Sequence, residues 1–114
     1  MIKEEKLFSY EVQGDDLVVK LVGEIDHHSA RALRGDVDEL ILECRPTKVI
    51  LDLSEISFMD SSGLGFIMGR YSFAKEFGAS LVLRAPTAAV MKIISLAGME
   101  RMIKIEKSIK EGEV

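Results

Sequence analysis

The chain has 114 residues, a formal net charge of −4, and 47% hydrophobic and 30% charged side chains. That size and composition suit one folded domain with its own core rather than a disordered tail, with no need of a disulfide or metal staple. Net acidity with scattered Lys and Arg argues against nucleic-acid binding, and a single cysteine, Cys44, rules out an internal disulfide framework and leaves no cysteine zinc set. No apolar run is long enough to cross a bilayer, and the opening MIKEEKLF lacks the apolar core of a signal peptide, so the expected location is cytoplasmic, without a membrane partner.

Taken in order, Phe8 to Val12 alternates weakly and reads as an edge strand. Gly14, Asp15 and Asp16 make a turn, and Leu17 to Ile25 (LVVKLVGEI) reads as the second strand of a hairpin. Gly23 inside it marks a bulge or close backbone approach. A helix is expected from about Ser29 to Cys44, because Ala30, Leu33, Val37, Leu40, Ile41 and Cys44 recur at steps of three and four. Asp26 and Ser29 both stand where N-caps belong. Arg45-Pro46 ends that helix, since a residue before proline avoids the helical region. On this reading Cys44 is a packing residue of the apolar face.

Lys48 to Leu53 (KVILDL) reads as a buried strand, and Asp60-Ser61-Ser62-Gly63 as a sharp turn into a second helix. Leu64, Ile67, Met68, Tyr71 and Ala74 define its expected apolar face, with Gly78 as its left-handed stop. Ser80 to Arg84 is a further strand. Pro86 and Thr87 open a third helix with Val90, Ile94 and Ala97 on one side, and Gly98 closes it. Met102 to Glu106 is a last strand, and 108–114 a polar tail expected to fray. A hairpin followed by helix–strand units implies an α/β domain: a mixed sheet, its later strands parallel through right-handed crossovers, with helices packed on it. One domain is expected over 1–114, with a core of about 8–107.

The segment Ile56 to Gly69 (ISFMDSSGLGFIMG) stands out for an Asp, two serines and two glycines between a strand and a helix. Unpaired N–H groups at a helix start favour a capping side chain or an anion. Simple capping by Asp60 or Ser61 is one reading; a phosphate-binding turn, a nucleophilic serine or a phosphorylation site are the others. A P-loop would need a Lys before its Ser or Thr, and here Arg70 comes too late. A serine nucleophile would need an oriented histidine base, and the pattern Gly-x-Ser-x-Gly is absent. The only histidines, His27 and His28, are adjacent and diverge, so they do not chelate like a pair one helical turn apart; one is expected to pack and the other to face solvent. If the strands ending at Ile25 and near Leu53 are neighbours, the Asp26–Ser29 and Asp60–Gly63 turns emerge together at the carboxyl edge, where α/β folds place binding sites. Met59, Leu64 and Phe66 read equally as a contact patch or as core.

Gly23-Glu24-Ile25-Asp26-His27-His28-Ser29-Ala30 and Ser57-Phe58-Met59-Asp60-Ser61-Ser62-Gly63-Leu64-Gly65, with Gly69-Arg70-Tyr71 trailing at the right distance, closely resemble the anti-sigma factor antagonists of the STAS family, nearest to the sporulation type. The resemblance runs from Phe8 to Lys107 and implies a mechanism. The unphosphorylated protein binds an anti-sigma factor that is also a serine kinase, so the sigma factor is freed. The kinase, supplying its own ATP, phosphorylates Ser61; the product lets go, and a serine phosphatase restores it. The resemblance also implies a partner surface around Asp26, His28, Ser29, Asp60, Ser61, Ser62, Gly63 and Leu64, no cofactor and no metal. It implies a free monomer and, from the short tail, an abbreviated last helix. The competing readings are a STAS module of another stress-signalling circuit and a weak nucleotide-binding protein. A phosphate on Ser61 would add about −1.5 to −2 charges beside Asp60. A loss of about 3 kcal/mol of binding would weaken affinity more than about 100-fold.

Overall fold

The computed structural model describes residues 7–107; the expectations for the tail at 108–114 lie outside them. A hairpin of β1 (Phe8–Gln13) and β2 (Asp16–Ile25) leads into α1 (His27–Cys44), β3 (Lys48–Met59), α2 (Ser61–Glu76), β4 (Ser80–Arg84), α3 (Ala88–Leu96), a single 3-10 turn (Met99–Arg101) and β5 (Lys104–Glu106). The five strands lie side by side in chain order, with β1 antiparallel to β2 and every later pair parallel, which is the mixed sheet expected.

Strand alternation decides which face is covered. Leu17, Val19 and Leu21 of β2, Val49, Leu51 and Leu53 of β3, and Leu81 and Leu83 of β4 join one buried cluster. Leu33, Val37 and Ile41 of α1, Phe66, Ile67 and Ala74 of α2, and Val90 and Ile94 of α3 belong to it too. The intervening positions Val18, Ile50 and Val82 form a small separate stripe. Ion pairs Lys20–Glu55, Lys48–Asp16 and Arg84–Glu106 also join residues of the sheet strands.

Several local expectations are corrected by packing. β3 runs six residues beyond Leu53, to Met59, because Ile56 and Met59 continue the buried row. β5 starts at Lys104, after the 3-10 turn takes Met99–Arg101. Ala97 is the exposed C-cap of α3 rather than part of its buried face. Cys44 is only half-buried, at the margin of the core. The buried side of α2 is also turned from the expected one. Gly63, Phe66, Ile67, Arg70 and Ala74 face inward, while Leu64, Met68 and Tyr71 are half-buried. The helix is apolar almost all round, so spacing cannot select a face.

The element that fixes the rotation of α2 is Arg70. It is 4% exposed; its guanidinium carbon lies 5.2 Å from the Phe66 ring centroid, and Nε is 2.6 Å from Asp38 Oδ1 on α1. Burial pushes the Asp38 carboxyl up in spite of the arginine beside it, so the pair locates α2 against α1 rather than adding stability through its ionisation. Removing one partner strands the other. Asp38→Ala is expected to cost about 2–4 kcal/mol in chemical denaturation, and Asp38→Leu combined with Arg70→Met to recover most of it; additive losses in that cycle would show that the two do not act as a pair.

Gly63 sets the second constraint. A Cβ there would run into Met59 Cγ, lie 2.7 Å from Met59 Sδ and 3.3 Å from Ile25 Cγ2, whereas one at Gly65 meets nothing within 4 Å. Gly63→Ala should therefore lose about 1–3 kcal/mol through overpacking. Gly65→Ala should gain up to about 1 kcal/mol from helix propensity. Thermal unfolding of the two variants checks the opposite signs.

Candidate functional site

The two turns singled out in the sequence do converge. β2 and β3 pair in parallel with Ile25 opposite Met59, after register irregularities at Lys20–Val22 and Gly23–Glu24. Gly23 takes φ +96°. The Asp60 N–H donates to the Ile25 carbonyl at 3.3 Å, so α1 and α2 start side by side at the carboxyl edge of the sheet.

Each start is built by an aspartate. Asp26 is the N-cap of α1, which begins at His27, two residues ahead of the expectation. Its Oδ1 accepts the Ser29 N–H at 2.9 Å, and the Ser29 hydroxyl accepts the Asp26 N–H at 2.9 Å, a reciprocal capping box. The same hydroxyl donates to the Glu24 carbonyl at 2.9 Å. The bonds donated to its carboxylate, the Ser29 N–H first and then the Ser29 hydroxyl, favour the ionised form and hold Asp26 below the ordinary aspartate value. Asp60 is the N-cap of α2, its Oδ1 accepting the Ser62 N–H at 2.8 Å.

The sequence-based site residues thus divide into two groups. Ser29 and Gly63 are buried, so their side of the turn supports the surface instead of forming it. Asp26, Asp60, Ser62 and Leu64 are half-buried, with both aspartates engaged in capping. Ser61 is exposed as the first residue of α2, and His28 is exposed on the first turn of α1. His27 is exposed as well, so the expectation that one of the two histidines packs is corrected. Of the three apolar residues with two readings, Met59 and Phe66 are core, at 1% and 4% exposure; Leu64 is half-buried. The apolar side chain that does reach the surface was missed: Phe58, 48% exposed at the end of β3. No local pattern marked it, because the end of β3 does not alternate: Ser57 and Phe58 are both exposed between buried Ile56 and Met59.

Chemically, this edge offers a hydroxyl at a helix start whose cap is already made by another residue. An acyl or phosphoryl group on Ser61 would sit at the positive end of α2 without displacing a fold contact. No group of three or more potential metal ligands occurs among the described residues, and no helix described is long and apolar enough to cross a membrane.

The geometry defines an α/β domain with paired helix starts presented at one sheet edge. Residues 8–112 match the STAS domain family, and the chain belongs to that family. It is similar to the anti-sigma F factor antagonist of Paenibacillus polymyxa, 34% identical over 78% of this chain and 76% of that protein. It also resembles the anti-sigma-B factor antagonist of Bacillus subtilis, 30% identical over 86% of this chain and 88% of that one. The fold matches the anti-sigma factor antagonist SpoIIAA solved unphosphorylated, with TM-score 0.75, 29% identity and coverage of 93% and 90%. It also matches SpoIIAA of Bacillus solved phosphorylated, with TM-score 0.67, 28% identity and coverage of 93% and 94%.

Two measurements address the capping box. Asp26 contributes stability while ionised, and loses it as pH falls through its lowered folded-state pKa, below about pH 4. Its carboxyl should titrate below the ordinary aspartate value by NMR, and Ser29→Ala should move that midpoint upward. The same substitution should cost about 1–2 kcal/mol of stability. An unshifted midpoint would mean that the box does not persist in solution.

Proposed function

We propose that this protein is an anti-sigma factor antagonist of the sporulation type, acting in the cytoplasm. Its unphosphorylated form binds an anti-sigma factor with serine kinase activity and so frees a sigma factor; phosphorylation of Ser61 ends the interaction, and a serine phosphatase reverses it. The observation that carries the reading is the exposed Ser61 hydroxyl at the start of α2, next to a cap made by Asp60 instead. That position accepts a phosphoryl group with little disturbance to the fold, while changing the charge of the edge by about −1.5 to −2. The likeness to SpoIIAA in phosphorylated and unphosphorylated forms supports the same reading.

In this role the protein needs no bound cofactor, because ATP belongs to the kinase. Partner contact is assigned to Asp26, His28 and the Asp60–Leu64 turn, with Phe58 as the apolar element. The 30% identity to a sigma-B antagonist supports one alternative, the same switch placed in a general-stress circuit.

The test is incubation with ATP, magnesium and the anti-sigma kinase, followed by peptide mass spectrometry. One phosphoryl group on Ser61, lost in Ser61→Ala and kept in Ser62→Ala, is expected. The circular dichroism spectrum should hardly change on modification. Stable kinase binding without phosphate would leave an antagonist lacking this switch, and absence of both would overturn the reading.

A further inference from the structure

Between α1 and α2, running away from the Ser61 end, lies an open groove that the capping and phosphorylation chemistry does not use. Its walls carry His27, Arg31 and Arg34 from α1, and Ser62 and Arg70 from α2, with no carboxylate among the lining residues. In a chain of net charge −4, the two exposed arginines Arg31 and Arg34 on one groove wall are a local reversal of sign.

The charge is not neutralised internally. Arg31 and Arg34 are exposed, and neither has a carboxylate at ion-pair distance among the described residues. Asp38, one helical turn beyond Arg34 on α1, is already held by Arg70. Arg34 also acts on that pair, favouring the ionised Asp38 and opposing the charge on Arg70. Two like charges facing one channel leave unsatisfied attraction for an anion.

The floor is open as well. Gly65 and Gly69 lie one helical turn apart on α2 and line the groove. A Cβ at either meets nothing within 4 Å, and neither takes a positive φ. Glycine weakens a helix, and here neither packing nor backbone geometry calls for it; the effect of its absent side chain is to keep the channel clear.

We propose that this groove is the docking channel for an acidic segment of the anti-sigma factor, with Arg31 and Arg34 as the residues that select it. The proposal rests on the antagonist reading and deepens it. The channel continues from the Asp60–Leu64 turn, so a phosphate on Ser61, one residue from the Ser62 wall, would oppose the same acidic segment by like charge. Release would then come from repulsion along the groove as well as bulk at the serine.

The anti-sigma factor is titrated against the full chain, the Arg31→Glu/Arg34→Glu variant, and a control with the same charge change at the exposed Lys92 and Lys104, Lys92→Glu/Lys104→Glu. Circular dichroism confirms that all three fold. Charge reversal in the groove is expected to weaken binding about tenfold or more and to flatten its salt dependence. The control should stay within about threefold. Equal losses in both variants, or none in the first, would overturn the groove proposal while leaving the antagonist reading intact. If the unmodified chain fails to bind the anti-sigma factor, the antagonist reading fails, and the groove is tested alone by NMR with an acetylated hexaglutamate peptide at low salt. Shifts confined to Arg31, Arg34, Gly65 and Gly69 and lost on charge reversal would support the channel; absent or evenly spread shifts would overturn it.

Discussion

The parallel register of β2 and β3 is the constraint on which the rest depends. It sets Ile25 opposite Met59, lets the Asp60 N–H reach the Ile25 carbonyl, and so brings together two turns far apart in sequence. Parallel pairing across a helical crossover is long-range, and its closing entropy must be offset by burial. That burial is the row of β-branched and leucine side chains that β2, β3 and β4 turn toward the helices. Gly63 belongs to the same arrangement, because only a residue without Cβ lets α2 start directly on Met59 and Ile25.

Above that register there is a division of labour. The backbone groups exposed by two helix starts are taken up by Asp26, Ser29 and Asp60. Satisfying them from the neighbouring residues leaves Ser61, His27, His28 and Phe58 on the surface with no structural duty at the caps. A surface made this way is rigid in its frame and free in its contacts, which suits recognition by a partner that must be able to leave. The Asp38–Arg70 pair supplies rigidity in the other direction, fixing how the two helices stand to each other at the cost of burying charge.

Much of this was legible in the residues. Short apolar runs marked the central strands, the three-and-four spacing marked α1, and Asp26, Thr87, Gly78 and Arg45-Pro46 marked element ends where the structure has them. The two turns could be placed on one edge because the order of elements allowed it. What could not be read was which way an all-round apolar helix faces. The expected buried side of α2 came from its hydrophobic residues alone and did not include Arg70; the place of that arginine is decided by Asp38, 32 positions earlier in the chain, and no local pattern encodes that. Likewise Ser29 looked like a surface residue of a recognised motif, and only the carbonyl of Glu24 reveals where its hydroxyl is spent. The basic groove was hidden for the same reason: Arg31, Arg34 and Arg70 belong to two elements, and each alone is an ordinary helical arginine.

The same geometry explains why a switch here can be local. Ser62 contributes its backbone N–H to the Asp60 cap and lies half-buried beside the groove, so modification there would press on both the helix start and its neighbour. Ser61 is one position earlier, exposed, and free of side-chain hydrogen bonds among the described residues. A charged group on Ser61 meets the positive end of α2 on one side and solvent on the other. Its electrostatic effect within the domain is mild, and its effect on anything docked across the turn is large, because a docked partner removes the water that would screen it. Discrimination between the two states therefore falls on the interface rather than on the fold, and a chain of this size can carry it without a second stable conformation.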